Sequence, residues 1–173
     1  MSINPKAKGS GFERDIAKFL TEWLTGQSKE YYFWRSPGSG GIATVLEANG
    51  TIAGDIIALK PEGTRLTNLY AIECKKGYPQ SSVNKFMNSK EDELAKFWKQ
   101  TCEAASKGNR SPMLFYHKKG MNCLVAVCTQ YSELKHISIH NPSFENWKTA
   151  YFYDSKEFFK YHSPNFLLDT KKD

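Results

Sequence analysis

The chain has 173 residues, of which 40% are hydrophobic and 24% charged, and its formal net charge is +6. This length suits one domain with a proper core, and the basic excess is consistent with a polyanionic partner. No apolar run approaches the roughly 18 residues of a membrane span, and the first ten residues lack the apolar stretch of a secretory signal. We therefore expect a cytoplasmic protein with no membrane partner.

The four cysteines lie in apolar, patterned segments and show no C-x-x-C pairing. This arrangement predicts reduced core residues and excludes a disulfide framework or a zinc site of the usual spacing. The residues concerned are Cys74, Cys102, Cys123 and Cys128.

The N-terminal part of the chain predicts an arm, a helix, a strand and a loop. Residues 1–10 are polar and basic, and we expect an arm there. Apolar residues at helical spacing predict an amphipathic helix over 11–25, in which Ser10 and Glu13 form a capping box. The aromatic stretch 31–36 predicts a strand, and the glycine-rich stretch 37–54 predicts a loop.

The central part predicts four strands and a second helix, in the order strand, strand, helix, strand, strand. Strands are predicted over 54–60 and 68–76, with the turn 61–67 joining them as a hairpin. Residues 77–89 lack a regular pattern. A second helix is predicted over 90–108, and further strands over 112–119 and 121–129.

The pattern weakens after about residue 130, where a short helix within 152–162 is the clearest signal. This order of elements predicts an α/β fold with a mixed central sheet flanked by helices. We divide the chain into a core of residues 1–130 and a C-terminal extension of residues 131–173, which we expect to pack on the same domain.

Three charged side chains interrupt the hydrophobic pattern of the two strands in the predicted hairpin. Glu73 and Lys75 are two residues apart, so they point to the same face of their strand. In an antiparallel hairpin, Asp55 at the start of one strand lies opposite the end of the other. Two carboxylates held close repel each other unless a cation lies between them, and oxygen ligands suit Mg²⁺ or Mn²⁺. The alternative is that these charges are simply solvated at strand ends, because short motifs of this kind often arise by chance.

The same residues resemble the PD-(D/E)-x-K nuclease motif. "GD" at 54–55 followed by "ECK" at 73–75 matches it, with glycine where many members carry proline. Upstream, "KGSGFERDIAKFL" and "WRSPGSGG" look like the first two motifs of the archaeal and phage Holliday-junction resolvases in that superfamily. Downstream, "FWKQTCEAASKGNRSPMLFYHKKG" is similar to their later helix and strand. The resemblance covers about residues 8–119, in the same order.

The resemblance implies a restriction-endonuclease-like fold and Mg²⁺-dependent hydrolysis of DNA, with Mn²⁺ as a substitute ion. A metal-bound water would attack phosphorus and leave 5′-phosphate and 3′-hydroxyl ends. The implied metal ligands are Asp55, Glu73 and the backbone carbonyl of Cys74, and Lys75 would orient or activate the water. Glu13 would complete the acidic cluster, directly or through water.

Further residues take part through the resemblance or through their charge. Ser39 would lie near the scissile phosphate, Arg14 and Arg35 would contact the DNA backbone, and Gln100 matches a helix position only loosely. Basic residues expected to follow the phosphates, and so to make binding salt-dependent, also include Lys6, Lys8, Lys76 and Lys85.

Simpler interpretations remain open for several of these residues. Glu13 can cap its helix, Arg35 can pair with an acid on the surface, and Ser39 can serve turn chemistry alone. His136 and His140 would share a strand face but lack a third ligand, which favours surface residues over a metal site. The glycines of the loop do not form a P-loop, because the Gly-Lys-Ser/Thr ending is absent.

The separation of Ser39 from Asp55 by a long loop departs from the archaeal resolvases and bears on the substrate. A Holliday junction resolvase is the leading hypothesis, and the two symmetric cuts of resolution imply a two-fold homodimer. The alternatives are a phage-type endonuclease or nickase for other branched or duplex DNA, and, more distantly, a non-catalytic DNA-binding module. The expected setting is the cytoplasm of a prokaryotic or phage-infected cell.

Overall fold

The computed structural model describes residues 5–36, 54–78, 93–141 and 146–169. Its helices are α1 (Pro5–Thr25), α2 (Pro61–Leu69), α3 (Glu93–Lys107), α4 (Ser155–Tyr161) and α5 (Pro164–Asp169). Its strands are β1 (Phe33–Arg35), β2 (Ile56–Ala58), β3 (Tyr70–Lys76), β4 (Ser111–His117), β5 (Leu124–Val127), β6 (Ile137–His140) and β7 (Thr149–Asp154).

Five strands form the main sheet in the order β3-β4-β5-β7-β6. β3 and β4 run parallel, joined by a crossover that contains α3, and the remaining neighbours are antiparallel. β1 and β2 form a separate antiparallel pair. A mixed sheet with helices on both faces confirms the predicted α/β fold class.

Each face of the main sheet carries its own apolar core. On one face, α1 packs Phe12, Ile16 and Leu20 against sheet residues such as Ile72 and Phe115. On the other face, α3 packs its apolar side against the alternate residues of the same strands. The residues of this second core include Leu94, Trp98, Cys102, Leu114, Tyr116 and Phe152. The alternation of β3 therefore directs Ile72 and Cys74 towards α1, and Glu73 and Lys75 towards α3.

The predicted hairpin between β2 and β3 is wrong. Residues 61–69 form the helix α2 rather than a turn, and β2 pairs with β1 instead of β3. Pro61 occupies the first turn of α2, where a missing N–H costs nothing, and Leu66 is fully buried. The burial of Leu66 outweighs the turn preference of the proline and of Gly63.

Other boundaries differ by a few residues from the expectations. α1 begins at Pro5, so the last six residues of the predicted arm are helical. α3 and β4 follow their predicted positions closely, whereas the predicted strand 121–129 shortens to Leu124–Val127. After residue 130 the chain adds two strands to the main sheet, followed by the predicted short helix at Ser155–Tyr161.

The remaining sequence predictions concern cysteines, histidines and membrane spans. All four cysteines are free, two of them buried and two half-buried, as predicted. His136 and His140 bond to Leu134 and Thr149 at the edge of the sheet. Within the described ranges, no helix is both long and apolar enough to cross a bilayer. The loop predicted over 37–54, except Gly54, and most of the irregular stretch 77–89 lie outside the described residues.

Candidate active site

Asp55 directly precedes β2, which belongs to the smaller sheet. Its backbone nevertheless forms a hydrogen bond to β3 of the main sheet. The Asp55 N–H donates a hydrogen bond of 2.7 Å to the Ile72 carbonyl. The Asp55 carbonyl accepts one of 2.7 Å from the N–H of Ser36, just after β1. Asp55 is therefore held between the end of β1 and the open edge of β3.

Gly54 permits this close approach. Its φ is +114°, and a Cβ added there would lie 2.9 Å from the Ile72 carbonyl oxygen. A side chain at this position would be strained by the dihedral angle and would also collide with the backbone of β3. This physical requirement accounts for a glycine where the nuclease motif often has proline.

The Asp55 carboxylate turns towards β3, where its Oδ2 accepts a hydrogen bond of 2.8 Å from the Cys74 N–H. Burial of the carboxyl and the negative charge of Glu73 raise the pKa of Asp55 to about 8, against an ordinary value of 3.8. The attraction of Lys75 and the Cys74 hydrogen bond act in the opposite direction but do not cancel the shift. Burial and the charge of Glu73 thus both disfavour the ionised form of Asp55, and a bound cation would offset the repulsion.

Glu73 and Lys75 form an ion pair on the α3 face of β3. The distance from Lys75 Nζ to Glu73 Oε2 is 3.2 Å, and Glu73 is only 5% exposed. Burial disfavours the charged ammonium, but the carboxylates of Glu73 and Asp55 outweigh this effect and raise the pKa of Lys75. The ammonium is thus charged at neutral pH.

Two residues of α3, which packs on this face of the sheet, contact the ion pair. Gln100 Nε2 lies 3.5 Å from Glu73 Oε2, which is a long hydrogen bond. The Lys75 ammonium lies 5.6 Å from the centre of the Phe97 ring. The sequence matched Gln100 only loosely and did not single out Phe97, because a helix position facing a strand cannot be assigned without the packing.

Glu13 and Arg35 form a second ion pair beside Asp55. Arg35 Nε donates to Glu13 Oε2 at 3.0 Å, and Glu13 is buried on α1. The charge of Glu13 contributes a small part of the upward pKa shift of Asp55, so the three carboxylates share one electrostatic environment. Arg35 therefore lies at the site, where it neutralises one of its acids.

The structure describes the side chains of only some of the other candidates. Arg14 is exposed on α1, and Lys76 lies 4.0 Å from Asp15 and above the Phe12 ring. Lys6 and Lys8 belong to the first turns of α1, but their side chains lie outside the described part of the structure. Ser39 and Lys85 lie outside it altogether.

Two further lysines lie near this end of the sheet and were not singled out from the sequence. β4 ends at His117, directly beside Lys76, and Gly77 N–H bonds to the His117 carbonyl at 3.0 Å. The turn that follows carries Lys118 and Lys119. The "HKKG" run was visible in the sequence, but its place beside the site depends on the parallel pairing of β3 and β4.

The donor set fits a hard divalent cation. Among the described residues, no three His, Cys, Asp or Glu side chains are arranged as a complete metal site. The two carboxylates of Asp55 and Glu73 nevertheless match Mg²⁺, which commonly uses one or two carboxylates and completes its shell with water and phosphate oxygens. With a pKa of about 8, Asp55 is largely protonated at neutral pH in the metal-free chain, and a bound cation would displace that proton.

Comparison with known proteins gives one match. The protein-family model described as "phage putative PDDEXK endonuclease" matches residues 4–166. No curated protein and no solved structure matches the chain. Because the family match spans most of the chain and includes Asp55, Glu73 and Lys75, the chain belongs to this family of phage PD-(D/E)-x-K endonucleases.

Proposed function

We propose that this endonuclease hydrolyses DNA phosphodiesters with Mg²⁺ at Asp55 and Glu73, and that its preferred substrate is branched DNA. The observation that carries the proposal is the convergence of two acidic side chains, Asp55 and Glu73, and a charged lysine at the end of β3. This arrangement costs free energy in the absence of a cation, and it has the charges that phosphodiester hydrolysis requires.

The metal would be held by Asp55, Glu73 and the backbone carbonyl of Cys74, with Mn²⁺ as a substitute. When bound, the ion lowers the pKa of a coordinated water and stabilises charge on the phosphate. Glu73 is oriented by Lys75 and Gln100, and Asp55 by the Cys74 N–H. Partners of this kind fix the direction of the ligand oxygens.

Lys75 is the residue that can act on the reacting water or the scissile phosphate. Its ammonium is charged, 3.2 Å from Glu73, and largely shielded from solvent. In this position it orients the nucleophile and balances negative charge that develops on the phosphate oxygens. Glu13 completes the acidic cluster through water, and Arg35 holds Glu13 in place. Ser39 remains the candidate for contact near the scissile phosphate.

The DNA backbone would follow the basic residues around this end of the sheet. These are Arg14, Arg35, Lys76, Lys118 and Lys119. Lys6 and Lys8 are candidates from the sequence alone. The turn lysines begin about 13 Å beyond Glu73 along the strands, given a rise of about 3.3 Å per residue. A DNA strand carries one charge per about 3.4 Å of helix axis, so these lysines would meet phosphates a few nucleotides from the cut.

A four-way junction cut by a two-fold homodimer is the leading substrate, on the strength of the motif order over residues 8–119. The second candidate is a phage-type endonuclease or nickase for other branched or duplex DNA. The long stretch between Ser39 and Asp55, which departs from the archaeal resolvases, is the reason to keep this second candidate. A non-catalytic DNA-binding module gives no reason for carboxylates to face a phosphate backbone.

Cleavage assays separate these candidates. Purified protein is incubated in Mg²⁺ with a synthetic four-way junction, a flap and a linear duplex of the same base sequence. Preferential, paired cutting of the junction supports a resolvase, and equal rates on all three substrates overturn it. Asp55→Asn should abolish cutting while junction binding persists. If Asp55→Asn still cuts, the metal assignment is wrong.

A further inference from the structure

α3 presents two residues to the two charged side chains of β3. Phe97 and Gln100 are three residues apart on the helix, and therefore share one face. Glu73 and Lys75 are two residues apart on the strand, and also share one face. Gln100 contacts Glu73, and Phe97 lies under the ammonium of Lys75. Each of the two charged side chains is thus in contact with one residue of α3.

The Phe97 ring is well placed to interact with the ammonium. The distance of 5.6 Å from Lys75 Nζ to the ring centre lies within the range of a cation–π contact, which is strongest when the cation is shielded from water. The side chain of Lys75 is only 16% exposed. Tyr78 packs on Phe97 with ring centres 4.5 Å apart at 61°, and this contact restricts the Phe97 ring.

Glu73 alone is a poor anchor for Lys75 during the reaction. In the present arrangement, Glu73 provides the largest attraction on the ammonium. A cation at Glu73 and Asp55 would take up the charge that attracts Lys75, so this ion pair would weaken when the site is loaded. The interaction with Phe97 does not depend on the charge of a carboxylate, and it persists when the cation arrives.

We propose that Phe97 is a positioning residue that holds the Lys75 ammonium over its ring while the carboxylates bind the cation. This inference rests on the proposed nuclease function. Phe97 acts through Lys75 and contacts neither the DNA nor the metal.

The test compares Phe97→Leu with the wild type and with Phe97→Tyr. Leucine keeps an apolar side chain but removes the aromatic face, and tyrosine retains that face. The turnover rate of Phe97→Leu should fall by about fivefold to thirtyfold, the equivalent of a cation–π contact. The KM for DNA and the Mn²⁺ dissociation constant should stay unchanged, and Phe97→Tyr should cut at nearly the wild-type rate.

A double-mutant cycle distinguishes positioning from general support of the core. In a Lys75→Ala background, Phe97→Leu should cause no further loss of turnover, because the residue it positions is absent. Phe19→Leu serves as the matched control, since Phe19 is also a partly buried aromatic but packs on the opposite core. A further loss in the Lys75→Ala background, or an unchanged rate in Phe97→Leu alone, overturns the inference.

A readout without catalysis keeps this inference separable from the proposed function. In the Mg²⁺-loaded wild type, the side-chain NMR signals of Lys75 should show the ring-current shift of an aromatic face, and Phe97→Leu should abolish it. If the wild type does not cut DNA but the shift is present, the nuclease proposal fails while the contact stands. If the wild type cuts and the shift is absent, the positioning role of Phe97 is refuted.

Discussion

The N–H of Cys74 donates a hydrogen bond of 2.8 Å to Oδ2 of Asp55, which joins two segments that belong to different sheets. Together with the bond from Asp55 N–H to Ile72, it fixes the carboxylate at the edge of β3. Asp55 therefore lies near Glu73 because the backbone at Gly54 packs directly against the backbone of β3 at Ile72.

Substitution of Gly54 tests this approach. Gly54→Ala should destabilise the fold by about 1–3 kcal/mol, because the residue is strained at φ +114° and its Cβ meets the Ile72 carbonyl. A displacement of Asp55 by about 1 Å should reduce the cleavage rate on the order of 10²-fold. Thermal unfolding and single-turnover cleavage measure the two effects.

Gly26→Ala is the matched control for that substitution. Gly26 also has a positive φ, +71°, but its added Cβ would meet no atom within 4 Å. The control should lose stability through strain alone, about 1–2 kcal/mol, and retain its cleavage rate once folded. Equal loss of activity in both variants would contradict a specific role for the Gly54 approach.

The raised pKa of Asp55 predicts how stability depends on pH. Between about pH 4 and pH 8, the folded metal-free chain holds a proton on Asp55 that the unfolded chain has released. The contribution of Asp55 to the free energy of unfolding is fully present below about pH 4 and is lost as the pH rises through about 8. Asp55→Asn lacks this dependence. The melting temperature of the variant, measured relative to that of the wild type, should therefore increase from pH 5 to pH 9.

Added Mg²⁺ should reverse the trend for the wild type. The cation competes with the proton, and should therefore raise the melting temperature more at pH 9 than at pH 5. Asp55→Asn should respond weakly at both values. A difference in melting temperature that is flat with pH would show that Asp55 ionises normally.

Gln100 should matter through the orientation of Glu73. Gln100→Leu removes the amide that lies 3.5 Å from Glu73 Oε2 and leaves the Lys75 pair in place. Loss of such an outer partner costs about 10–100-fold in metal affinity or activity. Mn²⁺ titration and cleavage rates measure the effect. Lys99→Ala, an exposed neighbour on α3 that pairs with Glu103, should leave both values unchanged.

The lysines after β4 should contribute to DNA affinity and its salt dependence. The double variant Lys118→Ala/Lys119→Ala should reduce the slope of log K against log salt by about 1.8, or about 0.9 per phosphate contact. The control, Lys107→Ala/Lys148→Ala, removes two exposed lysines at the opposite end of the sheet. Binding is measured in the Asp55→Asn background to prevent cutting. Equal slopes for the two double variants would show that the turn with Lys118 and Lys119 does not contact the DNA.

Local sequence patterns were sufficient to predict the helices and strands whose hydrophobic periodicity is strong. The helical spacing of Phe12, Ile16 and Leu20 predicted the face of α1, and alternation placed Glu73 and Lys75 on one face of β3. Both inferences depend only on residues close in sequence. The strands β6 and β7 lie in a stretch of weak pattern, and the sequence did not define them.

Contacts between distant segments account for what the sequence did not reveal. Pro61 and Gly63 indicated a turn, but the burial of Leu66 and the packing of Gly63 against the Phe33 ring stabilise α2 instead. The contact of Gln100 with Glu73 depends on how α3 crosses the sheet. The nearness of Asp55 to Glu73 was expected from a hairpin that does not exist, and it arises from the Gly54 approach.

The most direct test of the central claim is a crystal of the wild-type protein soaked with Mn²⁺ at about pH 8.5 and measured for anomalous scattering. An ion held by both side chains would give one peak between the carboxylates, about 2.1 Å from an oxygen of Asp55 and an oxygen of Glu73. A peak bound elsewhere, or carboxylates left without an ion at saturating Mn²⁺, would contradict the central claim.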